Sequence, residues 1–189
     1  MTYTLASADQ IASGDAARGP DSAGMLSGRA RCDRKLRRMW RRDGFTISTD
    51  PAHLDRDAVY RYLHDEAYWS TGIPRDLFER SLEGSLCFGL FDGDPARDGR
   101  QAGFSRVVTD SATFAWLCDV FVLPAYRGRG LGRWLIETVA GHPDLQEQRA
   151  FVLATRDAHG LYAKLGWEPV EAGRFMRISR PYRPDTGGT

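Results

Sequence analysis

The small number of cysteines and the lack of long apolar runs exclude several classes of protein. The 189-residue sequence has three cysteines, Cys32, Cys87 and Cys118, which are too widely spaced for a C-x-x-C pair or a zinc site. No stretch approaches the roughly 18 apolar residues of a membrane-spanning helix, and the N-terminus lacks the apolar core of a secretory signal. We therefore expect a reduced, cytoplasmic protein with no bound metal and no membrane contact.

An excess of charge of one sign is also missing. The 26 Lys and Arg residues nearly balance the 25 Asp and Glu residues, which leaves a formal net charge of +1. Domains that bind nucleic acid usually carry a marked positive charge, so we expect no nucleic-acid partner. With 42% hydrophobic residues, a chain of this length can bury one core of ordinary size, and one globular domain is predicted.

The N-terminal segment differs in composition from the rest of the chain. Residues 1 to about 28 are rich in Ala, Gly, Ser and Asp without apolar periodicity, and this composition predicts disorder. Residues 29–42 form a basic run, which we interpret as a solvated arm or short surface helix, with a nucleic-acid or membrane contact as the open alternative. The predicted division is an extension over residues 1–42, a domain over residues 43–183 and a flexible tail over residues 184–189.

Hydrophobic periodicity predicts an α+β protein. The predicted order is strand, two helices, three antiparallel strands, helix, strand, helix and strand. In that order the elements span residues 44–49, 55–68, 75–82, 85–91, 101–109, 113–123, 130–140, 151–154, 157–165 and 175–178. This order places a glycine-rich turn at a junction between a strand and a helix.

The glycine-rich turn has the sequence Arg127-Gly128-Arg129-Gly130-Leu131-Gly132. A strand that runs into such a turn and then a helix aims unpaired backbone N–H groups and the positive end of the helix dipole at one point, where phosphate binds. Glycine permits positive φ and close approach of the backbone, and Arg127, Arg129 and Arg133 can add charge-assisted contacts to a diphosphate. The turn therefore predicts a polyphosphate cofactor.

The spacing of the glycines argues against two common phosphate motifs. A P-loop requires Gly-Lys-Ser/Thr after its second glycine, and this turn has none. A dinucleotide fingerprint is G-x-G-x-x-G at the start of a βαβ unit, whereas the strand before this turn belongs to a predicted antiparallel meander. Nucleoside triphosphates and dinucleotides are therefore disfavoured.

The turn resembles motif A of the GNAT superfamily of acetyltransferases, R/Q-x-x-G-x-G/A, with Arg127 first, Gly130 in the middle and Gly132 last. Residues 119–126 resemble the family's fourth strand with its Pro-x-Tyr lead-in, and residues 157–167 resemble motif B, which commonly ends L-Y-x-K-x-G-F. The resemblance implies the GNAT fold. That fold has a central, twisted, mostly antiparallel sheet flanked by helices, and its fourth and fifth strands splay apart.

The resemblance also implies a binding site for acetyl-coenzyme A. In the family, pantetheine inserts between the splayed strands and pairs with the backbone of the fourth, here Val120, Phe121 and Val122, and one N–H group there polarises the thioester carbonyl. Thr155 occupies a position where members often carry an asparagine that contacts pantetheine; a threonine can cap the helix or offer one hydroxyl contact. The implied phosphate seat comprises Arg127, Gly128, Arg129, Gly130, Leu131, Gly132 and Arg133.

Tyr162 matches the family's tyrosine beside the coenzyme sulfur, and we expect it to protonate the departing thiolate as general acid. The general base stays open: Asp119 on the approaching strand, the run that begins at His64, or an ordered water could each accept the proton of the amine. Tyr68 and Trp69 lie at the expected acceptor mouth, where they could stack on an acceptor, with core packing as the alternative for Trp69.

The resemblance therefore predicts an acetyl-CoA-dependent N-acetyltransferase without a metal. The acetyl group would pass to a small-molecule or peptide amine by direct attack in a ternary complex. A transferase for a larger acyl-CoA and a catalytically inactive CoA-binding regulator are the open alternatives. For the oligomeric state, a homodimer stays an open alternative to a monomer.

Overall fold

The structure, a computed structural model, describes residues 37–182. The predicted disorder of residues 1 to about 28 and the predicted tail over residues 184–189 lie outside the described residues. Over the described range one sheet has six strands in the order β1 to β6. The strands are β1 Met39–Arg42, β2 Phe45–Ser48, β3 Leu86–Asp92, β4 Arg100–Thr109, β5 Phe114–Val122 and β6 Ala150–Leu153.

Helices connect β2 with β3 and flank β6. They are α1 Arg56–Arg61, which continues as a π-helical turn Tyr62–Glu66, and then α2 Arg75–Glu83, α3 Leu131–Ala140 and α4 His159–Ala163. The carboxylate of Asp55 accepts a hydrogen bond from the N–H of Ala58 at 2.9 Å, so the predicted cap of the first helix is confirmed. No described helix is long and apolar enough to cross a membrane.

The sheet buries a hydrophobic core on each face. Helices α1 and α2 cover one face, where Val59, Phe78 and Phe104 belong to one cluster. Helix α3 covers the other face with the apolar residues that its periodicity predicted, which are Leu131, Trp134, Leu135, Ile136 and Val139. The mixed α+β class with a mostly antiparallel sheet is therefore confirmed.

His142 is buried in the second of these cores. Its ring lies 5.7 Å from the ring of Trp40 and 5.5 Å from that of Phe88, measured between centroids. Its Nδ1 accepts a hydrogen bond from the N–H of Asp144 at 3.2 Å, and burial lowers its pKa. The imidazole is therefore held in its neutral form.

Strands β5 and β6 are parallel and separate after a short ladder. Their last register pair is Leu117 with Leu153, and β5 then continues to Val122 without β6. All other neighbouring strands are antiparallel. This separation is the splay that the family resemblance implied for the fourth and fifth strands. They are β5 and β6 here, because β1 precedes the strands that the sequence predicted.

The structure corrects the interpretation of residues 39–42. Strand β1, Met39–Arg42, lies within the segment interpreted as a solvated arm or surface helix, and it pairs with β2 over four residues. A two-residue turn, Asp43 and Gly44, joins the strands with φ of 49° and 82°. The run of arginines favoured the interpretation as a solvated arm. Charged residues are nevertheless common on an edge strand, because they oppose its pairing with a strand of another molecule.

The predicted last strand, residues 175–178, is wrong. These residues form no ladder, and Met176 and Ile178 are 97% and 82% exposed. Alternating apolar residues provide strand propensity, but a strand also needs an edge with which to pair. The sheet of the described residues therefore ends at β6.

Candidate active site

The glycine-rich turn ends at the N-terminus of α3 in the geometry of an anion site. Gly130 is the N-cap residue with φ of 73°, a left-handed conformation that glycine adopts without strain. The N–H of Trp134 bonds to the carbonyl of Gly130 at 3.0 Å, which is the first bond of the helix. The N–H groups of Leu131, Gly132 and Arg133 precede it and have no helical acceptor, and within residues 37–182 no side chain caps this end. Three donors and the helix dipole therefore converge at this point.

Arg127 has partners within the protein. Its Nε donates to the carbonyl of Val122 at 2.9 Å, and its Nη2 donates to the hydroxyl of Tyr62 at 3.0 Å. The side chain thus fastens the turn to the end of β5 and to the π-helical turn. Its predicted contact with a diphosphate stays a prediction, as do those of Arg129, which lies over the ring of Tyr126 at 6.0 Å, and Arg133.

Sequence reasoning missed a further cation at the turn. The guanidinium of Arg42, on β1, lies 4.8 Å from the centre of the Trp134 ring, and its Nη2 is 3.5 Å from the carbonyl oxygen of Gly130. The Asp43-Gly44 pair, typical of a hairpin turn, is the signal that could have placed Arg42 on a strand beside this turn.

The free edge of β5 begins where β6 leaves it. Alternate backbone N–H groups of residues 118–122 face the side without a partner strand, because the N–H groups of a strand alternate in direction. The side chain of Phe121 is buried and stacks on Tyr62 at 3.9 Å between ring centres, while Val120 and Val122 are partly buried. An extended chain can therefore pair with this edge through the backbone alone.

A β-bulge displaces Asp119 from the regular strand. Phe104 pairs with Phe121 but Arg106 pairs with Cys118, so β5 carries one extra residue, and Asp119 has φ of 54°. The Asp119 side chain is only 9% exposed and forms an ion pair with Nε of Arg106.

The carboxylate of Asp119 also accepts a hydrogen bond from Trp69 Nε1 at 3.1 Å. Burial by itself lowers the pKa of Arg106, but the charge and hydrogen bond of Asp119, together with smaller contributions from Cys118 and Cys87, outweigh it and the pKa is raised. The structure thus gives Asp119 the contacts of a structural ion pair, and its action as a base stays a prediction.

Tyr162 lies on α4 and is 8% exposed. Burial, with a smaller contribution from Tyr68, raises its pKa to about 12. Its hydroxyl forms no hydrogen bond with the residues that the structure describes, while its ring packs against Trp167 at 6.0 Å between centroids. The phenol is therefore protonated at neutral pH and free to donate.

The structure also locates the remaining predicted site residues, which are Thr155, Tyr68, Trp69 and His64. Thr155 Oγ1 accepts a hydrogen bond from the N–H of Ala158 at 3.1 Å, so it caps the entry to α4. Tyr68 and Trp69 are 45% and 41% exposed, so Trp69 does not pack in the core. His64 bonds through Nδ1 to the carboxylate of Asp65 at 2.7 Å.

The cysteines of the sheet are not prepared for nucleophilic chemistry. Burial raises the pKa of both Cys87 and Cys118 to about 12, so each is a thiol rather than a thiolate. The described residues contain no group of three or more His, Cys, Asp or Glu that could hold a metal ion.

Comparison with known proteins agrees with this geometry. Residues 84–169 match the family described as Acetyltransferase (GNAT) domain. A Gibberella zeae protein named as a candidate acetyltransferase is 34% identical over 143 residues, which cover 66% of this chain and 79% of that protein. A solved structure from Xanthomonas campestris pv. campestris, a candidate acetyltransferase of the GNAT family, is 44% identical with a TM-score of 0.65 and covers 78% of this chain and 99% of its own.

A more distant structure shares the fold. The complex of AAC(6')-Iy with the bisubstrate analog CoA-S-monomethyl-acetylneamine is 22% identical with a TM-score of 0.52. The match covers 73% of this chain and 100% of the chain in that complex. Sequence identity to the nearer relatives, together with the splayed strands and the glycine-rich turn, leads to one conclusion. The chain belongs to the GNAT family of acetyltransferases and is a transferase.

Proposed function

We propose that this enzyme is an acetyl-CoA-dependent N-acetyltransferase that transfers the acetyl group to an amine by direct attack in a ternary complex. The observation that carries the proposal is the uncapped N-terminus of α3, with three N–H groups that lack helical acceptors, beside the free edge of β5. Further support comes from the AAC(6')-Iy complex, in which a protein of this fold is bound to a coenzyme A analog.

The residues present fit coenzyme A. The N–H groups of Leu131, Gly132 and Arg133 would bind the diphosphate, and the guanidinium of Arg42 would add positive charge beside them. The free edge of β5 would bind the amide groups of pantetheine. When bound, acetyl-CoA supplies an acetyl thioester, which is activated for transfer to nitrogen.

Two groups of this chain would act on the transfer. A backbone N–H of β5 near the bulge polarises the thioester carbonyl. The phenol of Tyr162 gives its proton to the sulfur as the carbon–sulfur bond breaks and the carbon–nitrogen bond forms, and it recovers a proton from solvent. Because Arg106 and Trp69 already occupy the carboxylate of Asp119, we assign removal of the proton from the amine to water.

Two measurements test this proposal. Calorimetry with coenzyme A and acetyl-CoA should detect binding, and release of free thiol should depend on an added amine. Turnover of acetyl-, propionyl- and succinyl-CoA with the same amine separates an acetyltransferase from an enzyme for larger acyl groups. The absence of coenzyme A binding by folded protein would refute the phosphate site and the proposed reaction with it.

A further inference from the structure

The loop that carries Tyr68 and Trp69 contacts both sides of the gap between β5 and β6. Trp69 binds Asp119, which is two residues beyond Leu117, the last β5 residue in register with β6. Its neighbour Tyr68 contacts Arg156, which is three residues beyond Leu153, the last paired residue of β6. Adjacent side chains of one loop are therefore held at the ends of both separating strands.

The contact between Tyr68 and Arg156 is close. The guanidinium carbon of Arg156 lies 3.7 Å from the centre of the Tyr68 ring. At this distance the ring face covers one face of the guanidinium and contributes a cation–π attraction. The N–H groups of a guanidinium lie in its plane, so this contact leaves them available to a ligand.

Arg156 has no anionic partner among the described residues. Arg106 is paired with Asp119 and Arg133 with Glu137. Within residues 37–182, by contrast, Arg156 forms neither an ion pair nor a hydrogen bond through its side chain, and it is exposed. The fork of donors is therefore held in one orientation by Tyr68 but is not satisfied by the protein.

The position of Arg156 relates it to the reacting atoms. It lies in the connection from β6 to α4, and α4 carries Tyr162. Tyr68 joins the two, because it contacts the guanidinium of Arg156 and also raises the pKa of Tyr162. An unpaired cation thus lies against Tyr68, which the family resemblance predicts at the acceptor mouth.

We propose that the acceptor is an amine that carries a carboxylate, as an amino acid does, and that Arg156 binds this carboxylate. A planar guanidinium fork matches a carboxylate in bidentate geometry, which would orient the amine relative to the thioester. Tyr68 is the platform that holds the fork. This inference rests on the proposed N-acetyltransferase function and names the class of its acceptor.

The test compares matched acceptors. Amino acids, their carboxamides and the corresponding decarboxylated amines are assayed for release of free thiol from acetyl-CoA. For wild type we expect kcat/KM to be about 10- to 100-fold higher with the carboxylate than with the carboxamide, the range for hydrogen bonds to a charged group. Arg156→Gln should bring this ratio towards one through the KM of the carboxylate acceptor. Tyr68→Ala, which removes the platform, should lower the ratio in the same direction.

Arg97→Gln is the matched control, since Arg97 is an exposed arginine of the loop between β3 and β4. It should keep the wild-type ratio. Calorimetry with coenzyme A reports on folding of each variant independently of the acceptor.

Equal kcat/KM for acid and carboxamide, or an unchanged ratio in Arg156→Gln, would overturn this proposal and leave the N-acetyltransferase function intact. Preference for phosphorylated amines over carboxylates would likewise overturn it. If folded protein did not bind coenzyme A, both proposals would fail. Binding of coenzyme A therefore distinguishes the failure of both proposals from the failure of the carboxylate proposal alone.

Discussion

The substitution Gly130→Ala probes the turn on which the proposed cofactor site depends. Gly130 caps α3 at φ of 73°, and an added Cβ would meet only Nη2 of Arg42, at 3.8 Å. Steric overlap is therefore excluded as a cause, and the whole effect is the cost of the left-handed conformation for an alanine, about 1–2 kcal/mol.

This free energy must appear in one of two measurements. If the turn keeps its conformation, the protein loses about 1–2 kcal/mol of stability, and its Tm falls by about 2–8 °C. If the turn relaxes, the three N–H groups no longer converge, and the affinity for coenzyme A falls by about 5- to 30-fold. Thermal unfolding without ligand measures the first effect and calorimetry measures the second.

Gly173→Ala is the control, because Gly173 has φ of 83° and an added Cβ would meet nothing within 4 Å, but it lies outside the turn. It should bear a backbone cost without any change in affinity for coenzyme A. A Gly130→Ala protein with wild-type Tm and wild-type affinity would refute the argument, since the strain would then appear nowhere.

Three further predictions concern single side chains. Tyr162→Phe should lower kcat and leave the KM for acetyl-CoA nearly unchanged; because the pKa of Tyr162 is about 12, wild type should show no loss of activity from this group as pH rises from 7 to about 10. Asp119→Asn should cost about 3 kcal/mol of stability, measured by urea unfolding, because it leaves the charge of Arg106 without its partner. The lowered pKa of His142 means that its neutral form contributes stability in full above about pH 6.5, and this stability is lost as the pH falls towards the folded-state pKa, with a slope of at most about 1.4 kcal/mol per pH unit.

Each of these predictions has a contrary outcome. Full turnover by Tyr162→Phe at every pH would rule out its role as general acid. If Asp119→Asn lost turnover with unchanged unfolding, Asp119 would be the base after all. A His142→Phe variant should lose the acid-dependent part of the stability, and the same pH slope in variant and wild type would assign that slope to other groups.

Helices α1, α2 and α3 could be predicted because their information is local. Asp55 is followed by a three-and-four repeat of apolar residues, and the structure has the cap and the buried face that this pattern indicates. The glycine-rich turn could be predicted for the same reason. A left-handed N-cap position such as that of Gly130 favours glycine independently of the rest of the sequence.

The errors fall where the pairing of one strand with another decides the structure. Residues 39–42 become a strand because β2 offers them an edge, although their arginines suggested a solvated arm. Residues 175–178 have strand propensity but form no ladder. Periodicity describes the faces of a segment and carries no information about which edge is available to it.

The partners of charged side chains were equally hidden from the sequence. Nothing in the local pattern shows that Arg127 turns towards Tyr62, or that Asp119 binds Arg106 on the neighbouring strand. Those contacts depend on a one-residue bulge in β5 and on the packing of α1 against the sheet.

The sequence by itself thus determined the fold class, the family motifs and the position of the glycine-rich turn, because each rests on residues close together in the chain. Only the tertiary structure decided which arginine faces the turn, which acid is paired and which arginine lies against Tyr68 without an anionic partner. The physical reason is that a charge acquires its partner through strand register and helix packing, which join residues such as Tyr68 and Arg156 that are far apart in sequence.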